Sequence, residues 1–443
     1  MEDHSTLAGF RAELYGSFVR ARDALFEVGD ALASHPAARS FVELSQAACC
    51  QRRWPSLYEA LEDGRIDPEA LRRTFVRHLP PAEAGGRLVL GVDASSIPRP
   101  DARTAPDRTL VHVADVPRGA APVRPGWQFS AVVALPAQPS SWVYYLDTAR
   151  ITSRDTAAEV AAARLRALLP TLPERPVVLL DAGYGTLPWL RATADLACDQ
   201  LVRLSPARVF YRPAPPPTRR RGRPRGDGDR FKCADPATHH APCAAWEGVD
   251  PAGRPVTIRA WDDLHLKEWR GRDLAVVRVV RAVGAGERRA WQEAWFWWPG
   301  GPLPDLATLA GLYDRRFSQE HGFRFAKQDL LWATPRLRSP EQFARWTALV
   351  AAAHNQLALA RPMARCHLLP WEAAARPASP RQVRRVMGRI IAHIGSPARP
   401  PRPRGKSPGR APGAVVRRAT RHPVVRKHPP APRSAPHQRH TRA

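Results

Sequence analysis

Tyr313, Arg316, Glu320 and Lys327 stand at i, i+3, i+7 and i+14 within the stretch Tyr313-Asp314-Arg315-Arg316-Phe317-Ser318-Gln319-Glu320-His321-Gly322-Phe323-Arg324-Phe325-Ala326-Lys327. At about 100° per residue, an α-helix sets these four on one narrow stripe. The stripe carries a carboxylate flanked by two cations and a phenol. Taken alone, that pattern describes the salt-bridged face of a solvated helix.

Two aspartates give the stripe a second reading. Arg87-Leu88-Val89-Leu90-Gly91-Val92 reads as a short buried strand ending in Asp93, and Pro176-Val177-Val178-Leu179-Leu180 as another, broken by Asp181-Ala182-Gly183-Tyr184-Gly185. A carboxylate at the C-terminal end of a buried strand emerges where open α/β sheets place their ligands. Either aspartate could equally cap a helix or form a turn. Together with Glu320 they make a candidate three-carboxylate cluster, whose hard oxygens suit Mg²⁺ or Mn²⁺ rather than zinc.

Asp93, Asp181 and Glu320, with the Y-x2-R-x3-E-x6-K pattern met in full, resemble the DDE transposases of bacterial insertion sequences, in particular the group with that signature. The Asp-x-Gly-Tyr form of Asp181-Ala182-Gly183-Tyr184 fits the same group. Gly185 departs from it, standing where some relatives carry a polar residue. The resemblance runs from about Trp54 to Arg361. It implies a ribonuclease H-like catalytic core of order βββαβαβ, where periodicity alone supports only α/β. It also implies two Mg²⁺ ions (or Mn²⁺) held by Asp93, Asp181 and Glu320, with Asp93 between them. Tyr313, Arg316 and Lys327 would grip phosphates beside the cut. The substrate would be double-stranded DNA, at terminal inverted repeats and at the target, and a homodimer would pair the two ends. The alternatives are a ribonuclease H-like structure-specific nuclease, such as a junction resolvase, and a catalytically inactive DNA-binding derivative.

Charge agrees independently. The formal net charge is +27 and the pI about 11.2, pointing to a polyanionic partner. About half of the excess follows Gly395, where Arg is frequent and Asp and Glu are missing. The first residues lack the basic and apolar segments of a secretory signal, and no apolar run is long enough to span a bilayer. The six cysteines form no disulfide framework. The expectation is a cytoplasmic, nucleoid-associated protein with reduced thiols.

The chain divides into five expected parts. Residues 1–82 read as a helical domain, with apolar residues on a helical period from Leu14 to Leu32 and a basic side made of Arg52, Arg53, Arg72, Arg73 and Arg77. This domain either recognises DNA ends or simply supports the core. Residues 83–206 and 301–370 would form the two parts of the core, the second including an apolar helix over Glu341–Leu359 that buttresses the Glu320 helix. Residues 207–300 read as a β-rich insertion, since about 140 residues separate Asp181 from Glu320. Within it, Arg221-Gly222-Arg223-Pro224 matches the core of a minor-groove hook, or forms a basic loop touching phosphates. Of the aromatic residues Trp291, Trp295, Phe296, Trp297 and Trp298, most should pack in the core, while the resemblance singles out Trp298 as a ring to stack on a displaced base. Cys233, His239, His240 and Cys243 fit no regular zinc spacing. Residues 371–443 read as a basic, mostly disordered tail.

Overall fold

A computed structural model of the chain describes residues 2–427 apart from 83–85, 114–118, 120, 217–224, 252, 283–290, 300, 373–376, 403–408 and 416–417. The N-terminal part is helical, with α1 (Glu2–Ser17), β1 (Phe18–Arg20), α2 (Arg22–Ser34), α3 (Trp54–Asp63), β2 (Arg65–Ile66) and α4 (Pro68–Arg77). The stretch from Leu14 to Leu32, read as apolar residues on a helical period, is interrupted at β1. Phe18 pairs with Ile66 of β2, and Ala21 takes a left-handed φ of 53° that restarts the helix. The apolar period survives the break because Leu14, Phe18, Leu25 and Phe26 face one core. Gly64 ends α3: a Cβ there would lie 2.1 Å from Ala60 O. Asp67 caps α4 by accepting from the Glu69 and Ala70 amides, with Pro68 at the first helical position.

Of the five arginines of the expected basic side, Arg53 and Arg73 are exposed, and the other three pair within the chain. Arg72 is buried and donates to Asp147 at 2.8 Å, Arg52 pairs with Glu27, and Arg77 pairs with Glu13 at 3.0 Å. The Arg72–Asp147 pair fastens the helices to the central sheet rather than offering charge to a ligand.

The sheet is built from β3 (Val89–Pro98), β4 (Thr109–His112), β5 (Val123–Ala134), β6 (Tyr144–Ile151), then helix α5 (Ala157–Leu168), β7 (Val177–Leu180), α6 (Leu187–Ala192) and β8 (Asp199–Leu204). This is the expected βββαβαβ order with one short extra edge strand, β4. Its spatial order is β6-β5-β3-β7-β8, antiparallel through β5 and parallel from β3 to β8. Parallel strands are covered on both faces, which explains the unbroken apolar runs of β3 and β7. Thr156 opens α5 with a reciprocal cap to Glu159.

The β-rich stretch comprises β9 (Val209–Tyr211), β10 (Arg230–Lys232), β11 (Ala244–Val249), β12 (Pro255–Leu266), β13 (Trp269–Ala282) and β14 (Trp291–Pro299). It continues the same sheet: β14 pairs with β8, joining Trp295 to Leu204 and Trp297 to Val202, and the whole forms one twelve-stranded sheet. After it come α7 (Leu306–Leu312), a 3₁₀ turn over Tyr313–Arg316, α8 (Phe317–Gln328), α9 (Pro340–Leu359), α10 (Arg361–Ala364) and α11 (Pro380–Ile394). In α9, Trp346, Leu349 and Leu357 are buried as expected, and His354 meets Phe325 of α8.

The tail expectation needs correction over its described residues. Helix α11 buries Val383, Met387, Ile390 and Ile391, and its fully covered Arg384 donates to Leu32 O and His35 O. Further on, the amides of His422 and Val425 donate to Arg103 O and Arg108 O, and Val425 bridges Thr109 on the open edge of β4. An edge strand offers unpaired backbone groups, and these recruit a segment whose own composition has little to bury. Among the described residues no helix is long and apolar enough to cross a membrane.

Candidate active site

Asp93 and Asp181 leave adjacent parallel strands on the same side of the sheet. The register joins Leu90 to Val178 and Gly91 to Leu179, so both aspartates lie two residues beyond the last shared pair. Strand β3 does not end at Asp93 as its sequence suggests; it runs on to Pro98 against β5. Asp93 therefore sits where β7 stops pairing, with one flank open. Asp93 Oδ1 accepts from the Ala94 amide at 2.7 Å, and Asp181 Oδ1 from the Gly183 amide at 2.9 Å. Each aspartate keeps its other oxygen for the site.

Two glycines let the third acid approach. A Cβ on Gly91 would lie 2.4 Å from Gln319 Oε1, and one on Gly322 would lie 2.6 Å from Val143 Cγ2. Without those side chains α8 lies directly on β3 and on the entry to β6. Ser318 Oγ adds an anchor by accepting from the Ser140 amide at 2.9 Å. Glu320 thus approaches the aspartates from the first turn of α8. The Tyr313–Arg316 segment is wound as a tighter 3₁₀ turn, so the expected stripe is continuous in chain but not in pitch.

All three acids converge on Arg316. Its Nη2 donates to Asp93 Oδ2 at 2.6 Å and lies 3.6 Å from Asp181 Oδ2, while Nη1 is 3.4 Å from Glu320 Oε1. The guanidinium is the innermost member, 10% exposed, against 21% for Asp93, 39% for Asp181 and 56% for Glu320. Burial pushes the Asp93 carboxyl up to about 6, against the opposing pull of Arg316; Asp181 and Glu320 add to the rise. Burial would weaken the Arg316 cation, but Asp93, Tyr313, Asp181 and Glu320 outweigh it and hold its pKa above the ordinary value. Tyr313 packs its ring 4.8 Å from that of Phe296, and burial raises its phenol. Tyr184, the last residue of the Asp-x-Gly-Tyr stretch, is buried against Trp189, and desolvation with the two aspartates keeps its hydroxyl protonated.

Arg203 was not evident from the sequence. It lies on β8, exposed between two buried neighbours, and lines a cavity of about 200 Å³ with Arg316, Tyr313, Phe317 and Glu320. Its one signal was the alternation Val202-Arg203-Leu204. Lys327 is half-buried in the last turn of α8, seven residues past Glu320 and so on the same face. Arg221 and Arg223 lie outside the described residues. Trp298 is a correction: at 2% exposed, with the whole stretch Trp295–Pro299 covered, it presents no face for a base. Of the β14 aromatic residues, Trp291 at the start of the strand is the exposed one. In the Cys233 region, Cys233 is buried, His239 stacks on Phe231, and the Cys243 thiol donates to Ala260 O.

The donor set of the site is three carboxylates, the chemistry of a hard divalent cation. Their present spacing is that of a guanidinium complex; among the described residues no group of three or more His, Cys, Asp or Glu stands closely enough to enclose an ion.

A mixed α/β sheet thus brings Asp93 of β3 and Asp181 at the end of β7 beside the helix-borne Glu320. The chain belongs to the DDE superfamily endonuclease family, whose model matches residues 13–265, more than half of its length. The match contains Asp93 and Asp181 and ends before Glu320. Membership makes it a nuclease or transposase, with DNA as the substrate class and divalent metal as the family's usual requirement. No curated protein matches the chain.

Proposed function

We propose that this protein is a transposase that cuts DNA at the ends of an insertion sequence and joins them to target DNA, with Asp93, Asp181 and Glu320 as its catalytic acids. The observation that carries the reading is the convergence of these three carboxylates, from β3, β7 and α8, on one buried cation. Divalent Mg²⁺ or Mn²⁺ ions, which Asp93, Asp181 and Glu320 would hold, would supply an activated water or 3′-hydroxyl and a counter-charge for the leaving oxygen. The chain's own part is placement. Asp93 and Asp181 are fixed by backbone amides, and Glu320 by the glycine seats of α8. Arg316, Tyr313 and Lys327 would orient the strand through its phosphates, which sets position and not sequence. Two copies would hold the paired ends.

Joining separates a transposase from a nuclease that only cuts. Purified protein, a donor plasmid carrying the reading frame with its flanking DNA, and a separate target plasmid are incubated with Mg²⁺. Sequenced donor-to-target junctions at fixed element ends support the proposal. Cuts without junctions favour a structure-specific nuclease, and binding without cuts favours an inactive DNA-binding derivative.

A further inference from the structure

Arg316 stands where a cation belongs. One nitrogen, Nη2, spans Asp93 Oδ2 at 2.6 Å and Asp181 Oδ2 at 3.6 Å, and Nη1 faces Glu320 Oε1 at 3.4 Å. These are the oxygens that the proposed metal would use. The guanidinium lies beneath them, so an ion arriving from solvent meets the carboxylates with the arginine already between them. A dication coordinated by those oxygens at about 2.0–2.6 Å would sit within a few ångströms of the guanidinium charge, a like-charge contact in a poorly solvated place. The arginine is also not fully satisfied where it is: its Nε is buried with no hydrogen-bond partner among the described residues. Beside it is room to turn, the cavity of about 200 Å³ bordered by Arg203, Tyr313, Phe317 and Glu320.

We infer that Arg316 is a built-in competitor for the metal, filling the space between the acids in the metal-free protein and leaving it when a divalent ion binds. The inference rests on the reading of Asp93, Asp181 and Glu320 as metal ligands. It gives the arginine two jobs in sequence. Before loading, it cancels part of the repulsion among three carboxylates that the fold holds together. After loading, it is displaced toward the cavity mouth, where a backbone phosphate is its natural partner.

Isothermal titration of the full-length protein with MnCl₂, without DNA, tests this on wild type, Arg316→Met, Arg316→Lys and Asp181→Asn, with melting temperature as a second readout. Competition predicts that Arg316→Met binds Mn²⁺ about tenfold more tightly than wild type. Arg316→Lys falls between them, since an ammonium cannot span three acids. Mn²⁺ then raises the melting temperature of Arg316→Met more than that of wild type. Equal or weaker binding by Arg316→Met, with Asp181→Asn still weakened, overturns the competitor role and leaves the metal site standing. Unchanged binding in Asp181→Asn overturns the ligand assignment itself. If Arg316→Met does not fold, Arg316→Lys decides: tighter than wild type supports competition, and equal or weaker rejects it.

Discussion

Asp93 is the least exposed of the three acids. Its carboxyl is pushed up to about 6, first by burial and then by Asp181 and Glu320, with Arg316 pulling the other way. A carboxyl with a raised folded pKa holds its proton more tightly in the folded chain than in the unfolded one. Its stabilising share is therefore complete below the ordinary carboxylate range and is lost as pH rises through about 6. In metal-free protein, Asp93→Asn should remove a stability decline on the order of 2 kcal/mol between about pH 4 and pH 7, read from melting curves across that range. Metal coordination needs the ionised form, so cleavage should rise over the same window, with proton release on Mn²⁺ binding measurable by titration in two buffers. At this scale the sequence was informative. Acids at the ends of apolar runs and a helical stripe were visible as residue types and spacing. That Arg316 would lie under all three acids was not, because its direction depends on a 3₁₀ turn that spacing at helical pitch does not reveal.

At the scale of elements, the site depends on how closely α8 lies on the sheet. Gly91→Ala forces a Cβ against Gln319, and Gly322→Ala forces one against Val143. Each should destabilise the fold by about 1–3 kcal/mol and lift Glu320 from the aspartates. The expected result is a lowered melting temperature with cleavage lost and duplex binding kept. Normal cleavage by Gly91→Ala would show that the helix seat is not what places Glu320. These glycines were silent in the sequence because a close approach leaves no periodic mark. The strands β3 and β7 were legible, since parallel strands covered on both faces appear as unbroken apolar runs. Trp298 fails as a stacking ring for a related reason: Trp295–Pro299 is covered throughout, so its tryptophans pack instead of alternating, and only Trp291 at the start of β14 is exposed.

At the scale of the molecule, one sheet runs through what the sequence divided into core and insertion, and the chain's last described residues close its β4 edge. Composition hides this docking, because Pro and Arg outweigh the few apolar residues of the segment, although Val383, Met387 and Ile390 carry a one-sided period in α11. Removing residues 421–443 should have two effects. The uncovered edge should make the protein more prone to self-association, seen by light scattering. Loss of its basic residues should weaken binding to random duplex and flatten the dependence of affinity on salt. An unchanged salt slope would mean that the tail's charge does not reach DNA.

The most direct test of the three-acid site compares wild type with Asp93→Asn, Asp181→Asn and Glu320→Gln on a plasmid carrying the reading frame and its flanks. Cleavage in Mg²⁺ or Mn²⁺ and duplex affinity are measured on the same preparations. The account predicts discrete metal-dependent cuts by wild type, no cuts by any of the three variants, and duplex affinity kept in all four. Cutting that persists in any one of the variants would contradict the site.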